Sequence, residues 1–386
     1  MLTGYQPFKN NMNILIIGNG FDLAHNLPTQ YSDFFDFVKS YKMPDNSNYS
    51  EFLEDLKSKE GDLYLEIGEL IQSNILLDYF LSVYEERLKE GKKGWIDFEN
   101  EISVFVQNLD EAKQYVEKAY NESHKPVLLK RGVEERLSPI IYAHKPNEQN
   151  MVAQGHQFEP RYFDYQANRL LDSLKRLTRL LEIYLFEYVE KLDNNYIISD
   201  LDDCKIDKVI SFNYTITYKK KYDPEEKEDY CYIHGQVKNG SAEECDIVLG
   251  IDEYLPPSRI DSDNQFVWFK KFYQRIYKQT SSEYLDWIKN VEDYNERCSK
   301  ANPSRINLYI YGHSLDVTDK DVLSRLILMD NTITHIYYHN REAMAKQISN
   351  LIKVIGEDNL IKKTGGKDRT IIFVKSSEAV LGKLEN

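Results

Sequence analysis

The sequence predicts an α/β protein whose mostly parallel sheet is interrupted along the chain by a large helical insertion. Three observations carry that expectation. Short apolar runs, of the near-continuous kind that a strand buried on both faces requires, open the chain and return in its second half. Between them, from about Tyr41 to Leu192, apolar residues recur at helical spacing and form no clear strand. The first run, Met12-Asn13-Ile14-Leu15-Ile16-Ile17, breaks directly into Gly18-Asn19-Gly20 and an amphipathic helix, the sequence form of a Rossmann-type turn.

Each element follows from its residues. Glycines after the first strand let backbone N–H groups approach a pyrophosphate, and the following helix points its positive dipole end at the anion. In the insertion, Leu170, Leu174, Leu177, Leu181, Tyr184, Tyr188 and Leu192 form one stripe spaced by three and four, with Lys175, Arg176, Arg179 and Glu182 elsewhere. That stripe reads as core. Leu137 to Pro160, with Pro139, Pro146 and Gly155 among polar residues, reads as a long loop, lid or linker. Strands return at Lys208–Phe212, Tyr230–Ile233, Ile247–Leu249, Ile306–Tyr311, Ile336–Tyr338 and Thr370–Val374. Three of them run into Asn213, His234 and Gly312, so these groups would converge at the carboxyl ends of strands, where open α/β sheets bind ligands. The domain expectation is a nucleotide-binding core from 12–40 and 203–386, with a helical insertion over 41–202. The insertion is expected to cover the site or to mediate self-association.

Composition sets limits. The 386 residues are 41% hydrophobic and 29% charged, enough to bury a sizeable core. A net charge of -14 argues against a general nucleic-acid coat, because an acidic surface repels phosphates at long range. No stretch reaches the roughly 18 apolar residues that span a bilayer, and no signal-peptide core stands at the N-terminus, so the expected location is cytoplasmic. Cys204, Cys231, Cys245 and Cys298 form no Cys-x-x-Cys pair and no disulfide framework.

The first motif continues as Gly18-Asn19-Gly20-Phe21-Asp22-Leu23-Ala24-His25-Asn26-Leu27-Pro28-Thr29-Gln30-Tyr31. With WIDFENEI, SFNYT, YIHG and GHSLD further on, it closely resembles the signature of the AbiH family of bacterial abortive-infection proteins, over almost the whole chain. A more distant resemblance is to the sirtuin-type NAD-binding fold. Gly18, Gly20, Leu27 and Pro28 fall on its first motif, Asn213 on its central asparagine, His234 and Gly235 on its His-Gly, and Gly312, Ser314 and Leu315 on its last. Asn19 stands in place of alanine, Asp22 of serine, Asn26 of glycine and Thr215 of aspartate. The zinc ribbon of the protein-deacetylating members needs two Cys-x-x-Cys pairs, which argues against a deacetylase.

The resemblance implies NAD as substrate or ligand, with no metal, and contacts from Gly18, Asn19, Gly20, Phe21, Asp22, Pro28, Thr215, Gly312, Ser314 and Leu315. It implies phage defence through NAD hydrolysis to nicotinamide and ADP-ribose. Asn213 and His234 are suited to that chemistry, one to orient a water or the ribose hydroxyls and the other to take a proton. By type alone they read as readily as a turn residue and a half-buried strand-end histidine. Asp22 reads as a helix cap or as a ribose contact, and His25 as a satisfied histidine. Asp316, Asp319 and Asp321 read as helix-start carboxylates rather than ligands. Asp97 and Glu101 read as an acidic first turn, with Trp95, Phe98 and Ile102 on a packing face. Trp268–Lys278 reads as an amphipathic helix, Phe269, Phe272 and Ile276 inward, rather than a nucleic-acid surface. The alternatives in function are a nucleotide-sensing module without turnover, acting through a partner, and a metal-dependent nuclease. A phage-derived trigger and a homo-oligomer are the partners expected, with no membrane and no nucleic acid.

Overall fold

The computed structural model describes residues 11–43, 48–91, 98–134, 137, 157–260, 263–297, 303–377 and 380–381. The chain divides into two compact units, one of Met1–Thr29, Val189–Val237 and Gln279–Asn386, the other of Gln30–Tyr188 and Lys238–Lys278. The helical unit thus takes in residues 30–40 and 238–278 beside 41–188 of the insertion, and 189–202 fall in the first unit. No helix among the described residues is long and apolar enough to cross a membrane.

In the first unit, six strands among the described residues make one sheet: β1 (Asn11–Ile17), β2 (Lys208–Ser211), β3 (Asp229–Tyr232), β4 (Arg305–Tyr311), β5 (Thr332–Tyr338) and β6 (Ile371–Lys375). They lie in the order β3-β2-β1-β4-β5-β6, and every neighbouring pair is parallel. This is the doubly wound order, in which the direction of strand addition reverses between β1 and β4. The α/β class with a parallel sheet is therefore the one the apolar runs predicted. Ile14 and Ile16 of β1 join Ile210, Leu308 and Ile310 in an aliphatic core with helices Tyr284–Arg297, Lys320–Leu328 and Arg341–Ile355. Leu15 and Ile17 point the other way, into a layer with Phe21, Val209, Tyr218, Tyr311 and Tyr337. Burial on both faces explains why these strands carry runs rather than alternation.

Register places the site. Ile17 pairs with Ser211 on one side and Tyr311 on the other, and Ser211 pairs with Tyr232. The last residues of β1 to β4 thus form one row, and four loops leave the sheet from the same edge.

The second unit is mainly helical, with Tyr31–Lys42, Ser50–Lys59, Gly61–Ile71, Ile75–Lys89, Phe98–Ser123 and Pro160–Ile183 as its main helices. The leucine stripe is core at Leu170, Leu174, Leu177, Leu181 and Tyr184. It does not run to Leu192, which is exposed, because Tyr184–Tyr188 is a π-helical turn that breaks the spacing of three and four.

Two expectations fail here, for one reason. Ile247-Val248-Leu249 is buried but forms no strand, and its backbone groups therefore need other partners. Gln274 supplies them: its Oε1 accepts from Leu249 N–H at 3.1 Å and its Nε2 donates to Leu249 O at 3.0 Å. Lys278 donates to Ile247 O, and Lys271 pairs with Glu99 at 2.8 Å. Helix Lys271–Lys278 consequently turns its polar side inward and leaves Phe272 46% and Ile276 74% exposed, the reverse of the amphipathic reading; only Phe269, just before it, is buried as expected. The Leu137–Pro160 loop lies almost wholly outside the described residues.

Replacing Gln274 by Leu should cost about 2–3 kcal/mol, because it leaves two buried backbone groups unpaired. Ile276→Ser should stay within about 0.5 kcal/mol. Urea denaturation of both variants checks the pair, and the opposite ranking would restore the amphipathic reading.

Candidate functional site

The loops after β1 and β4 meet at the switch point of the sheet. Gly18 N–H donates to Tyr311 O at 3.2 Å and Gly20 N–H to Gly312 O at 2.8 Å. A Cβ on Gly18 would lie 2.8 Å from His313 Cα, and one on Gly20 2.8 Å from Gly312 Cα. Gly312 adopts φ +66°, and a Cβ there would overlap the backbone at Gly20 and Phe21. The glycines are therefore required for backbone to lie against backbone. That contact also takes the Gly20 N–H, so this group is not one that a phosphate would find open. Asn19 and Ser314, at the rims of the two loops, are exposed.

Beneath the loops lies a buried polar network. Asn213, two residues beyond β2, donates through Nδ2 to Gly18 O at 3.0 Å and to Asp22 Oδ2 at 3.1 Å. Thr215 donates its hydroxyl to the same Oδ2 at 2.6 Å, and Thr217 donates to Thr215 at 3.2 Å. Asp22 Oδ1 is buried without a hydrogen-bond partner. Burial pushes the Asp22 carboxyl up from 3.8 to about 7, against the lowering effect of Thr215 and Thr217 and with a further push from Glu190.

The helix carrying Asp22 is held by His25, which is fully buried. Its Nδ1 donates to Phe21 O at 2.7 Å, its Nε2 accepts from Tyr222 OH at 2.7 Å, and Tyr222 accepts from Ile198 N–H at 2.8 Å. Burial lowers its pKa to about 4, so it is neutral, a satisfied core histidine. Asn26 adopts φ +57°, a left-handed conformation that asparagine tolerates.

A second cluster gathers His234, His313 and Asp319, all buried. His234 Nε2 lies 3.3 Å from Asp319 Oδ1, and His313 Nε2 lies 3.6 Å from Asp319 Oδ2. Phe212 meets both imidazoles edge-on, with ring centroids 5.4 and 4.4 Å away. Gly235, at φ +76°, makes the turn that presents His234.

Asn213 and His234 therefore belong to separate networks, one centred on Asp22 and one on Asp319. Thr215 and Asp22 are bonded directly. Phe21 and Leu315 are fully buried in the cores, with their backbone N–H groups bonded to Gly18 O at 2.8 Å and His313 Nδ1 at 2.9 Å, and Pro28 is half-buried. Asp316 caps the next turn by accepting from Thr318 N–H at 3.2 Å, as a helix-start carboxylate does. Asp319 departs from that reading, because its carboxylate faces two histidines. His313 and Asp319 were not legible as site residues; the one signal was a histidine on the Gly312 motif with carboxylates three and six residues later. Phe98 and Ile102 pack inward and Glu101 accepts from Tyr79 OH at 2.9 Å, while Trp95, Asp97 and Cys298 lie outside the described residues.

A doubly wound α/β unit with buried polar networks at the carboxyl edge of its switch point defines the class of protein. The family described as bacteriophage abortive infection AbiH matches residues 14–339, and the chain belongs to it. No curated protein and no solved structure matches the chain.

Gly312→Ala should destabilise the fold by more than about 3 kcal/mol, since it combines a left-handed φ with backbone overlap. Gly366, at φ +76° with open space around it, isolates the first effect, and its alanine variant should lose only about 1 kcal/mol. Equal losses in thermal unfolding would refute the loop contact. For Asp22, the folded carboxyl keeps its proton up to about pH 7, whereas the unfolded one loses it near 3.8. Stability therefore falls as pH rises through that window and levels above it. Relative to Asp22→Asn, wild type should lose about 4 kcal/mol from pH 4 to pH 8, and parallel stability curves would overturn the shift.

Proposed function

We propose that this phage-defence family member binds NAD at the carboxyl edge of its sheet and hydrolyses it to nicotinamide and ADP-ribose, halting an infected cell by depleting a central cofactor. The observation that carries this reading is that Asn213, Thr215, Asp22 and His234 all stand on segments leaving one row of strand ends, with Asp22 bonded to Asn213 and Thr215. Hydrolysis breaks the bond between ribose C1′ and the nicotinamide nitrogen, which departs neutral with the electron pair. The C1′ centre passes through an oxocarbenium-like state and takes the oxygen of a water whose proton goes to a base.

The groups present suit those tasks. Both Nδ2 hydrogens of Asn213 are used inside the protein, which leaves Oδ1 to accept from the water or a ribose hydroxyl. His234, beside a carboxylate, is the base. The sirtuin-type pattern has a hydroxyl in the first loop and a carboxylate two residues after the central asparagine. Here Asp22 and Thr215 carry the same two groups in exchanged places, and they are bonded to each other. The exchange supports a retained ribose-side pair. The pyrophosphate would meet the loop rims at Asn19 and Ser314 rather than the occupied Gly20 N–H.

One observation favours a sensor without turnover: the Asn213 amide and Thr215 hydroxyl are tied into the protein, as in a site that binds and reports. Incubating the pure protein with NAD and measuring free nicotinamide separates the two. Turnover is expected, falling by about 10²–10⁴-fold in Asn213→Ala or His234→Ala, with the double variant little worse than either. NAD binding without nicotinamide release would leave the sensor reading, and no binding would remove NAD from the account.

A further inference from the structure

Asp22 is a buried carboxyl group with no cation to balance it. It is 1% exposed, and no basic side chain is among the groups that act on it. The charge it does feel is negative: Glu190, which is itself held by Lys220 and by Ile216 N–H at 2.7 Å. From β3 it meets Tyr232, a phenol whose own pKa burial pushes up, and His25 on its own helix is neutral.

The two oxygens of Asp22 are not equivalent. Thr215 accepts from Thr217 and so spends its own hydrogen on Oδ2, which also accepts from Asn213 Nδ2. Oδ1 is buried and receives nothing. The hydrogen of the acid therefore belongs on Oδ1, and a negative charge would leave that oxygen buried with no donor to meet it. This burial, with Glu190 adding to it, holds the carboxyl up at about 7. Asp22 also stands one helical turn beyond Asn19 on helix Asn19–Ala24, below the rim assigned above to the pyrophosphate.

We propose that Asp22 gates the site by charge: as an uncharged acid, with its hydrogen on Oδ1, it admits an anionic dinucleotide, and as a carboxylate it repels one. The identity of the anion rests on the NAD reading; the state of the carboxyl does not. Affinity for the anion therefore falls as pH rises through about 7, and by linkage the bound anion holds the hydrogen on Asp22 more tightly.

Asp22→Asn tests the gate because the amide is neutral at every pH, offers its oxygen to Asn213 and Thr215, and sets NH₂ where the acid carries its hydrogen. The probe is ADP-ribose, which keeps the pyrophosphate and has no nicotinamide to lose, titrated calorimetrically into the full chain at pH 6 and pH 8 and fixed ionic strength. Wild type should bind about tenfold more weakly at pH 8, whereas Asp22→Asn should change by less than about twofold. Every other titrating group is common to the two proteins and cancels. Carbon-13 NMR of the chain labelled at its aspartate carboxyls follows the group itself: the resonance missing from Asp22→Asn should titrate near pH 7, and at higher pH with ADP-ribose bound. Equal affinity of wild type at the two pH values overturns the gate without any variant. So does the same pH dependence in Asp22→Asn, or an Asp22 resonance that titrates near pH 4. Gated binding of ADP-ribose with no nicotinamide released from NAD would overturn the hydrolysis reading and leave the gate in place, and no binding of ADP-ribose at pH 6 would remove both.

Discussion

The contact of the β1 loop with the β4 loop is the constraint on which the rest of the site depends. Two loops that leave adjacent parallel strands at a switch point normally diverge and leave a crevice between them. Here Gly18, Gly20 and Gly312 let them touch, and two backbone hydrogen bonds close the seam. Any side chain at these positions would push apart the row from which Asn213 and His234 also start. The glycines read in sequence as a phosphate cradle are thus first a packing requirement.

With the seam fixed, the polar groups beneath it have little freedom. Asp22 receives Asn213 and Thr215 on one oxygen and none on the other, an arrangement that costs desolvation while the carboxyl is charged. A protein selected only for stability would place a neutral group there. Keeping an acid buried, with its pKa near 7, is the kind of local conflict that accumulates at functional sites. The Asp22–Thr215 bond also joins two positions that look independent in the sequence, because only the fold places positions 22 and 215 side by side.

What the sequence made legible was what local pattern controls. Runs such as Ile14–Ile17 and Ile306–Tyr311 had to be buried strands, and glycine or asparagine after them had to mark their ends. What stayed hidden depended on partners distant in the chain. Helix Lys271–Lys278 looked amphipathic in the usual sense, but the unpaired backbone of Leu249 drew Gln274 inward and turned Ile276 out. The leucine stripe was sound up to Tyr184 and then lost its period to one π turn, which leaves no signature in residue spacing. Asp319 looked like Asp316, a carboxylate at a helix start. Only the arrival of His234 from the β3 loop distinguishes them.

The two histidines fixed by backbone show how main-chain groups assign the protons of buried rings. His25 meets a carbonyl at Nδ1, so it must be protonated there, and its Nε2 becomes an acceptor that anchors Tyr222. His313 meets an N–H at Nδ1, so the assignment reverses and its Nε2 becomes a donor. Leu315, whose N–H makes that choice, sits at φ +58°, a left-handed conformation uncommon for leucine. The buried Leu315 side chain holds that conformation in place. The strained residue of the Gly312–Asp316 motif therefore has a task that spacing alone could not reveal: it aims one backbone hydrogen at His313 Nδ1 and so fixes which nitrogen of that ring carries the proton.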